Sequence, residues 1–518
     1  MYFCRIINLS NMKKRNVLFA VVFAMFTFAG LGVKAQDSIF NYTYQGTTLY
    51  YIIDSAQQAR VVPPLYPNLH WNADSTQTSS WYGYAKPQGA VVVPDSVVFS
   101  GISYPVTALE ADAFYRCDSV TSVTLPVSVT YLEHDAFTRC SLETISMPGV
   151  TFMGEGCFYY ASSLTSVDIP GGVAFIPEWG FEGCSSLQTV TLHYGTTTIG
   201  RSAFYSCTNL TSVTLPESLT AIEMFAFSIC TSLQSVSFPE HLTTLGIYAF
   251  SECSSLQSVD IPGSVSIIDD CCFSQCSSLS TVTLHEGTET IGDCSFRECI
   301  SLTTINYPST LTEIGDFAFQ IDSMLAIPLI FPENLTYLGI VAYGDCFSIV
   351  TASLPGSLGG VPDDVFFGCR SLSTVTIGDG ITHIGEQAFN HCPNIDTFFV
   401  KCAVPPTVGP LTDSTFFVFN STIVVPCGSE AAYQQAEGWG LFSDIVEDCG
   451  VGIPEMNLPE VTIHVENSRI VVEGAEGETV RVFDITGRIV RNEALPAGVY
   501  LVQIGNRPAQ KVMVHPNR

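Results

Sequence analysis

Cysteine is the residue type with the most chemistry to offer in this 518-residue sequence, which holds nineteen of them. Eleven recur at one position of a repeating pattern: Cys117, Cys140, Cys184, Cys207, Cys230, Cys253, Cys276, Cys299, Cys346, Cys369 and Cys392. In an oxidising compartment so many cysteines ordinarily mean disulfides, and closely spaced pairs would mean zinc. A position that repeats from one stacked unit to the next sends its side chains out in parallel. Neighbouring Cβ atoms then lie about 5 Å apart, beyond the ~3.8 Å mean of a disulfide. A ladder of small buried thiols is therefore expected, with some disulfides or a metal site as the alternatives. Ala161 and Asp322 replace the cysteine in two units. Alanine suits a packing role; nothing in the sequence accounts for the aspartate.

Other residues invite sharper chemistry. Cys271, Cys272, Cys276, Cys294 and Cys299 crowd two adjacent units, which suggests zinc until the ladder members are removed from the set. Cys271 and Cys294 occupy equivalent places in neighbouring units, where a strained cross-link is the alternative. His391 adjoins Cys392, the elements of a thiol nucleophile and its base. Asp269-Asp270 and Asp363-Asp364 could hold calcium on a turn, or stand as solvated surface. The nine histidines are scattered, with His193 and His285 in the place that proline takes after a strand. No zinc-protease, serine-hydrolase, phosphate-loop or dinucleotide motif is present. The expectation is a chain that is not an enzyme, with no cofactor and no metal.

The elements that must position these residues are short and repeated. A large aromatic recurs at Phe114, Phe137, Phe158, Phe181, Phe204, Phe227, Phe250, Phe273, Phe296, Phe319, Tyr343, Phe366 and Phe389, and ten of the twelve intervals are 23 residues. Within a unit, Leu210-Thr-Ser-Val213-Thr-Leu215-Pro216 alternates apolar and polar side chains as a half-buried strand does, and proline ends it. A second extended piece, such as that around Leu245, sends one more apolar group inward. Ala-Phe then starts a short helical or irregular turn whose ring fills the coil's centre. No unit can bury these groups alone; stacked coils can, at roughly 4.8 Å each.

The unit Ile199-Gly200-x-x-Ala203-Phe204-x-x-Cys207-x-x-Leu210-x-x-Val213-x-Leu215-Pro216 resembles the BspA-type, or treponemal-type, leucine-rich repeat. The resemblance implies a β-rich, right-handed solenoid of about 13 coils over residues 91–400, with β caps at both ends. Residues 36–90 resemble the family's N-terminal cap. Residues 401–449 resemble its closing segment of strand, short helix and strand. Cys402, Cys427 and Cys449 lie off the ladder there, and one disulfide is expected among them; Cys427–Cys449 is the choice, without geometric support.

The two ends of the chain carry their own signals. A basic stretch from Met12, an apolar run from Val17 to Ala29 and small residues up to Ala35 read as a signal peptide over 1–35, cleaved between Ala35 and Gln36. No transmembrane segment is expected in the mature chain. After a linker at 450–459, residues 460–518 are similar to the C-terminal sorting domain of type IX secretion, a small β-sandwich, through Asp484-x-x-Gly487-Arg488 and Gly498-x-Tyr500-x-Val502. That resemblance implies the type IX machinery as a partner and a place outside a Gram-negative outer membrane.

Charge narrows the partners. From Gln36 to Leu458 there are 8 Lys/Arg against 42 Asp/Glu. Nucleic acid needs a basic face and is excluded, and anionic membrane surfaces are disfavoured. The family is associated with attachment to host extracellular proteins, so a secreted or surface adhesion protein is the leading expectation. A carbohydrate-binding surface protein is the second, and a hydrolase the third. Candidate ligand-binding residues are the outward strand positions Thr214, Ser237, Asp260 and Thr283, and the aromatics Phe225 and Tyr248.

Overall fold

The computed structural model describes residues 39–66, 81–409 and 420–449, and beyond them 462–466, 469–473, 480–484, 495, 498–504 and 510–514. The expected signal peptide, its Ala35–Gln36 cleavage point and the 450–459 linker lie outside the described residues. Two compact units divide the chain: Met1–Ile423 with Ala432–Ile445, and Val424–Ala431 with Val446–Arg518.

The first unit is a β-solenoid of about 14 turns of about 23 residues, one more than the thirteen aromatic repeats. The additional strand, Gly89–Val92, precedes the first of those aromatics and pairs in parallel with Val120–Thr124. Antiparallel strands Phe40–Tyr44, Thr47–Ile53 and Ala59–Val62 come before it. The last of them pairs in parallel with Ile102–Leu109, and every later pairing between coils is parallel.

Most coils place two strands in two separate sheets. The longer one follows the alternation of the sequence: Ser166 and Asp168 are exposed while Val167 and Ile169 are buried. Its register steps by one coil, Val167 on Val190 and Val190 on Val213. The second strand is only two residues long, as in Thr198–Ile199 on Ala221–Ile222. Its single inward residue, Ile199, is fully buried.

The third side of the coil is not helical. Phe204 is followed by two tight turns, Cys207 N–H to Phe204 O and Leu210 N–H to Cys207 O. Two residues per coil have left-handed backbone to make this corner, Ser202 and Ser206 in one coil, Phe225 and Ile229 in the next. Few of these positions are glycine, and each bulky residue there carries a steric cost of roughly 1–2 kcal/mol. The coil accepts it because the corner turns Phe inward. Consecutive rings stack at 5.1 Å with planes 5° apart for Phe181 and Phe204. Ring spacing and coil spacing coincide, so one aromatic column runs through the core.

The longer-strand sheet is interrupted three times along the coils, twice at a coil that carries an aromatic in an aliphatic position. Phe238 and Tyr307 stand where other coils have the inward Leu215 or Ile261, and each turns its ring edge onto the central column, at Phe250 and Phe319. Near Phe238 the pairing falls to a single bridge, Ser212 to Ser235. The strand before Tyr307 stops at Ile305. The pairing that remains keeps the 23-residue register, Ser212 on Ser235 and Val282 on Ile305.

After the coils come strand Thr422–Pro426, helix Glu430–Gln435 and strand Asp444–Asp448. In the second unit Cys427 and Cys449 form a disulfide. Thr462–Glu466 pairs antiparallel with Arg469–Glu473, and Gly498–Ile504 pairs antiparallel with both Val480–Asp484 and Gln510–Val514. Among the described residues no helix is long and apolar enough to cross a membrane.

Two neighbouring substitutions separate the packing term from the backbone term. Phe227→Ala should cost about 3–5 kcal/mol in urea unfolding, the usual cost of emptying a buried aromatic site. Ile229→Gly, two residues on, should be neutral or stabilise by up to about 1 kcal/mol, because glycine relieves the left-handed backbone. Equal losses at both sites would contradict this account.

Candidate functional site

The inside of the solenoid is spent on holding coils together. The cysteine ladder is buried throughout, yet its thiols do more than fill space. Cys207, Cys230, Cys253 and Cys276 donate to the carbonyl of the aromatic residue one coil back, at 3.2–3.3 Å. Phe204 O thus accepts from Cys207 N–H in its own coil and from Cys230 Sγ in the next. A small side chain with a donor is what this place needs. Burial pushes these thiols up, to about 12 for Cys230 and Cys276, so they stay neutral and unreactive. Cys157 and Cys272, fully buried, take the alanine position before the ring, a role the sequence did not disclose for Cys157.

Asp322 breaks the ladder. It is completely buried, and neither carboxylate oxygen has a hydrogen-bond partner. Burial pushes its carboxyl well above the usual range, which favours the neutral acid. Beside this coil the column residue is Tyr343, whose hydroxyl meets that of Tyr307 at 2.8 Å.

One aspartate of each pair is committed to the backbone of the next coil. Asp270 Oδ1 accepts from Asp293 N–H at 2.9 Å, and Asp293 Oδ1 from Asp316 N–H at 2.8 Å. Asp363 Oδ1 accepts from Glu386 N–H at 2.7 Å in the same way. The glycine of the Ile-Gly pair makes room for this: a Cβ on Gly315 would stand 2.4 Å from Asp293 Oδ1, and one on Gly385 equally close to Asp363 Oδ1. Thr197, Thr220 and Thr243 form a further ladder, each hydroxyl donating to a carbonyl one coil back at 3.1 Å.

Among the described residues, the side chains that the catalytic and zinc alternatives would need are not brought together. His391 is exposed with its ring edge on Phe367, whereas the Cys392 thiol points inward to Phe366 O. Cys276 and Cys299 aim at different carbonyls. Among the described residues the one metal-like cluster is Cys427, Glu447 and Cys449, and its sulfurs are joined to each other.

The outer surface of the longer strands is left unspent. Thr214, Ser237 and Asp260 are exposed and Thr283 is half-buried. On this surface His193 Nε2 meets Asp168 Oδ1 at 2.6 Å and His285 Nε2 meets Asp260 Oδ1 at 2.7 Å, with all four side chains more than half exposed. The two pairs hold the same place four coils apart. Histidine in the proline position was visible in the sequence; its aspartate, on the strand before, was not. Phe225 and Tyr248 are half-buried and stack on each other at 4.9 Å. Tyr131 and Phe152, outward on the short strands, also stack, at 4.3 Å with planes 6° apart.

The family model for the BspA type leucine rich repeat region matches in six copies over residues 99–210, 197–326 and 322–417. The chain belongs to that family. Its fold is similar to that of a leucine-rich repeat protein from Bacteroides ovatus, 22% identical, TM-score 0.53, covering 70% of this chain and 94% of that one. A leucine rich cell surface protein from Faecalibacterium prausnitzii is 24% identical with a TM-score of 0.40, over 70% of this chain and 95% of that one. No curated protein matches. BspA-type repeat proteins are typically surface proteins, and solenoids of this kind are generally non-catalytic.

Asp322 generates a pH-dependent prediction. Its raised folded pKa means that its contribution is fully present below the ordinary carboxyl range and is lost as pH rises. Asp322→Cys should therefore stabilise the chain at pH 7 by about 1–3 kcal/mol, the cost of a buried unsatisfied group, and the gain should shrink as pH falls from 7 toward about 4 and level off below it. Thermal melts from pH 3 to 8 check it; a gain that does not change with pH removes the argument.

Proposed function

We propose that this chain is a non-catalytic binding protein of the bacterial surface that engages extracellular proteins through the outer face of its longer strands. The observation that carries this reading is the division of labour between the two sides of the coil. Inward cysteines and corner aspartates are consumed by coil-to-coil hydrogen bonds, while Thr214, Ser237, Asp260 and the two His–Asp pairs stand in solvent. Extended, unspent faces are what solenoids offer to partners. The surplus of 42 acids over 8 bases favours partners with basic patches, whose approach such a field accelerates.

Glycans fit less well. Sugar rings stack on open aromatic faces; the pairs Tyr131–Phe152 and Phe225–Tyr248 stack on each other, and the most exposed rings, Tyr82 and Tyr194, stand far apart in the sequence. A hydrolase finds no support in the separated His391 and Cys392. The carboxyl-terminal strands and the acid-poor amino terminus fit the proposal that the chain is exported by a signal peptide over 1–35 and delivered by type IX secretion through 460–518.

Two experiments test these readings. The chain is applied to an array of extracellular proteins and glycans, with and without calcium, at low and high salt. Protein capture that weakens with salt and falls roughly tenfold in Asp168→Lys/Asp260→Lys is expected; glycan capture alone, or no capture, overturns the reading. Separately, deleting 460–518 in a host with type IX secretion should abolish surface display, and undiminished display would remove the sorting role.

A further inference from the structure

Cys271 and Cys294 differ from every ladder cysteine. They stand at the outer corner of two adjacent coils, one residue before the Ala-Phe position, both with left-handed backbone at φ 54° and 55°. Their backbones are in register: Cys271 N–H donates to Asp293 O, and Cys294 N–H to Asp316 O, each at 2.8 Å. They retain 8% and 7% exposure, whereas ladder thiols such as Cys207 and Cys253 have none. Ladder sulfurs such as those of Cys207 and Cys253 are held by a carbonyl one coil back, whereas the Cys271 and Cys294 side chains pair with each other.

We propose that Cys271 and Cys294 form a redox-active dithiol that closes to a disulfide clamping two neighbouring coils. Adjacent strands lie about 4.7–4.9 Å apart, within the Cα separations that disulfides span. Parallel Cβ vectors leave the sulfurs slightly too far apart for an unstrained bond, so the coils are drawn together locally when it closes. The hydrogen bond from Cys294, reinforced by one from Tyr248, holds the Cys271 thiol below its usual range, while the same pairing and burial hold Cys294 above it. Cys271 is thereby the attacking thiolate. The oxidant is a disulfide donor, such as oxidised glutathione or a thiol–disulfide oxidoreductase. Cys271 sulfur attacks one donor sulfur, forming a mixed disulfide and releasing one donor thiol. Cys294 sulfur, having lost its proton, then attacks Cys271 sulfur and releases the second. Two protein thiols are oxidised and one donor disulfide is reduced to two thiols. The link closes a loop between residues 23 positions apart, which restricts the unfolded chain.

The test uses the full chain, treated with oxidised glutathione and then alkylated. Wild type should lose two alkylation sites and two hydrogens in mass, and digestion at aspartate should yield the peptides beginning at Asp270 and Asp293 joined. Cys272→Ala, which restores the residue common at its position, should behave like wild type. Cys271→Ser and Cys294→Ser should each abolish the link, and the rise in melting temperature on oxidation should vanish with it. The proposal is overturned if both cysteines stay fully alkylatable after oxidation, or if the link persists in Cys271→Ser.

Discussion

The stack of carbonyl groups beside the aromatic column is the interaction on which the rest of the structure depends. Nine of the thirteen, as at Phe204, receive a backbone N–H from their own coil and a thiol from the next. The column rings pack at the same interval of about 5 Å, as Phe181, Phe204 and Phe227 do. Hydrogen bond and ring contact therefore share one period, and Ala161 keeps that period by packing alone. Asp322, in the thiol's place, leaves its carboxyl unsatisfied.

Much of this was legible in the residues. The 23-residue interval, the apolar alternation of the longer strands and the inward thiols all follow from side-chain type and spacing. The left-handed corners were not legible, because they fall on Arg116, Phe225, Ile229 and Glu252 rather than on glycine. Coil closure imposes that backbone, and local preference has no vote. The aspartate ladder was hidden for a related reason: Asp270 looks like surface until the next coil brings its N–H within reach.

The surface tells a complementary story. Acidic groups inside the hydrogen-bond ladders, such as Asp293, are committed to architecture, while Asp168 and Asp260 share their charge only with an exposed histidine. Net charge alone could not separate these two populations, since both add equally to the total. The structure divides them by direction, and that division supports binding through one face. It also sets Cys271 and Cys294 apart, at the corner where interior chemistry comes nearest to solvent.

The claim that the ladder thiols are donors in the stack is tested most directly by the S–H stretching band in the Raman spectrum of the native chain. The account predicts an intense band at lower frequency than that of a free thiol in water, moving to the free position on unfolding. A native band already at the free-thiol frequency, or no S–H band at all, would contradict it.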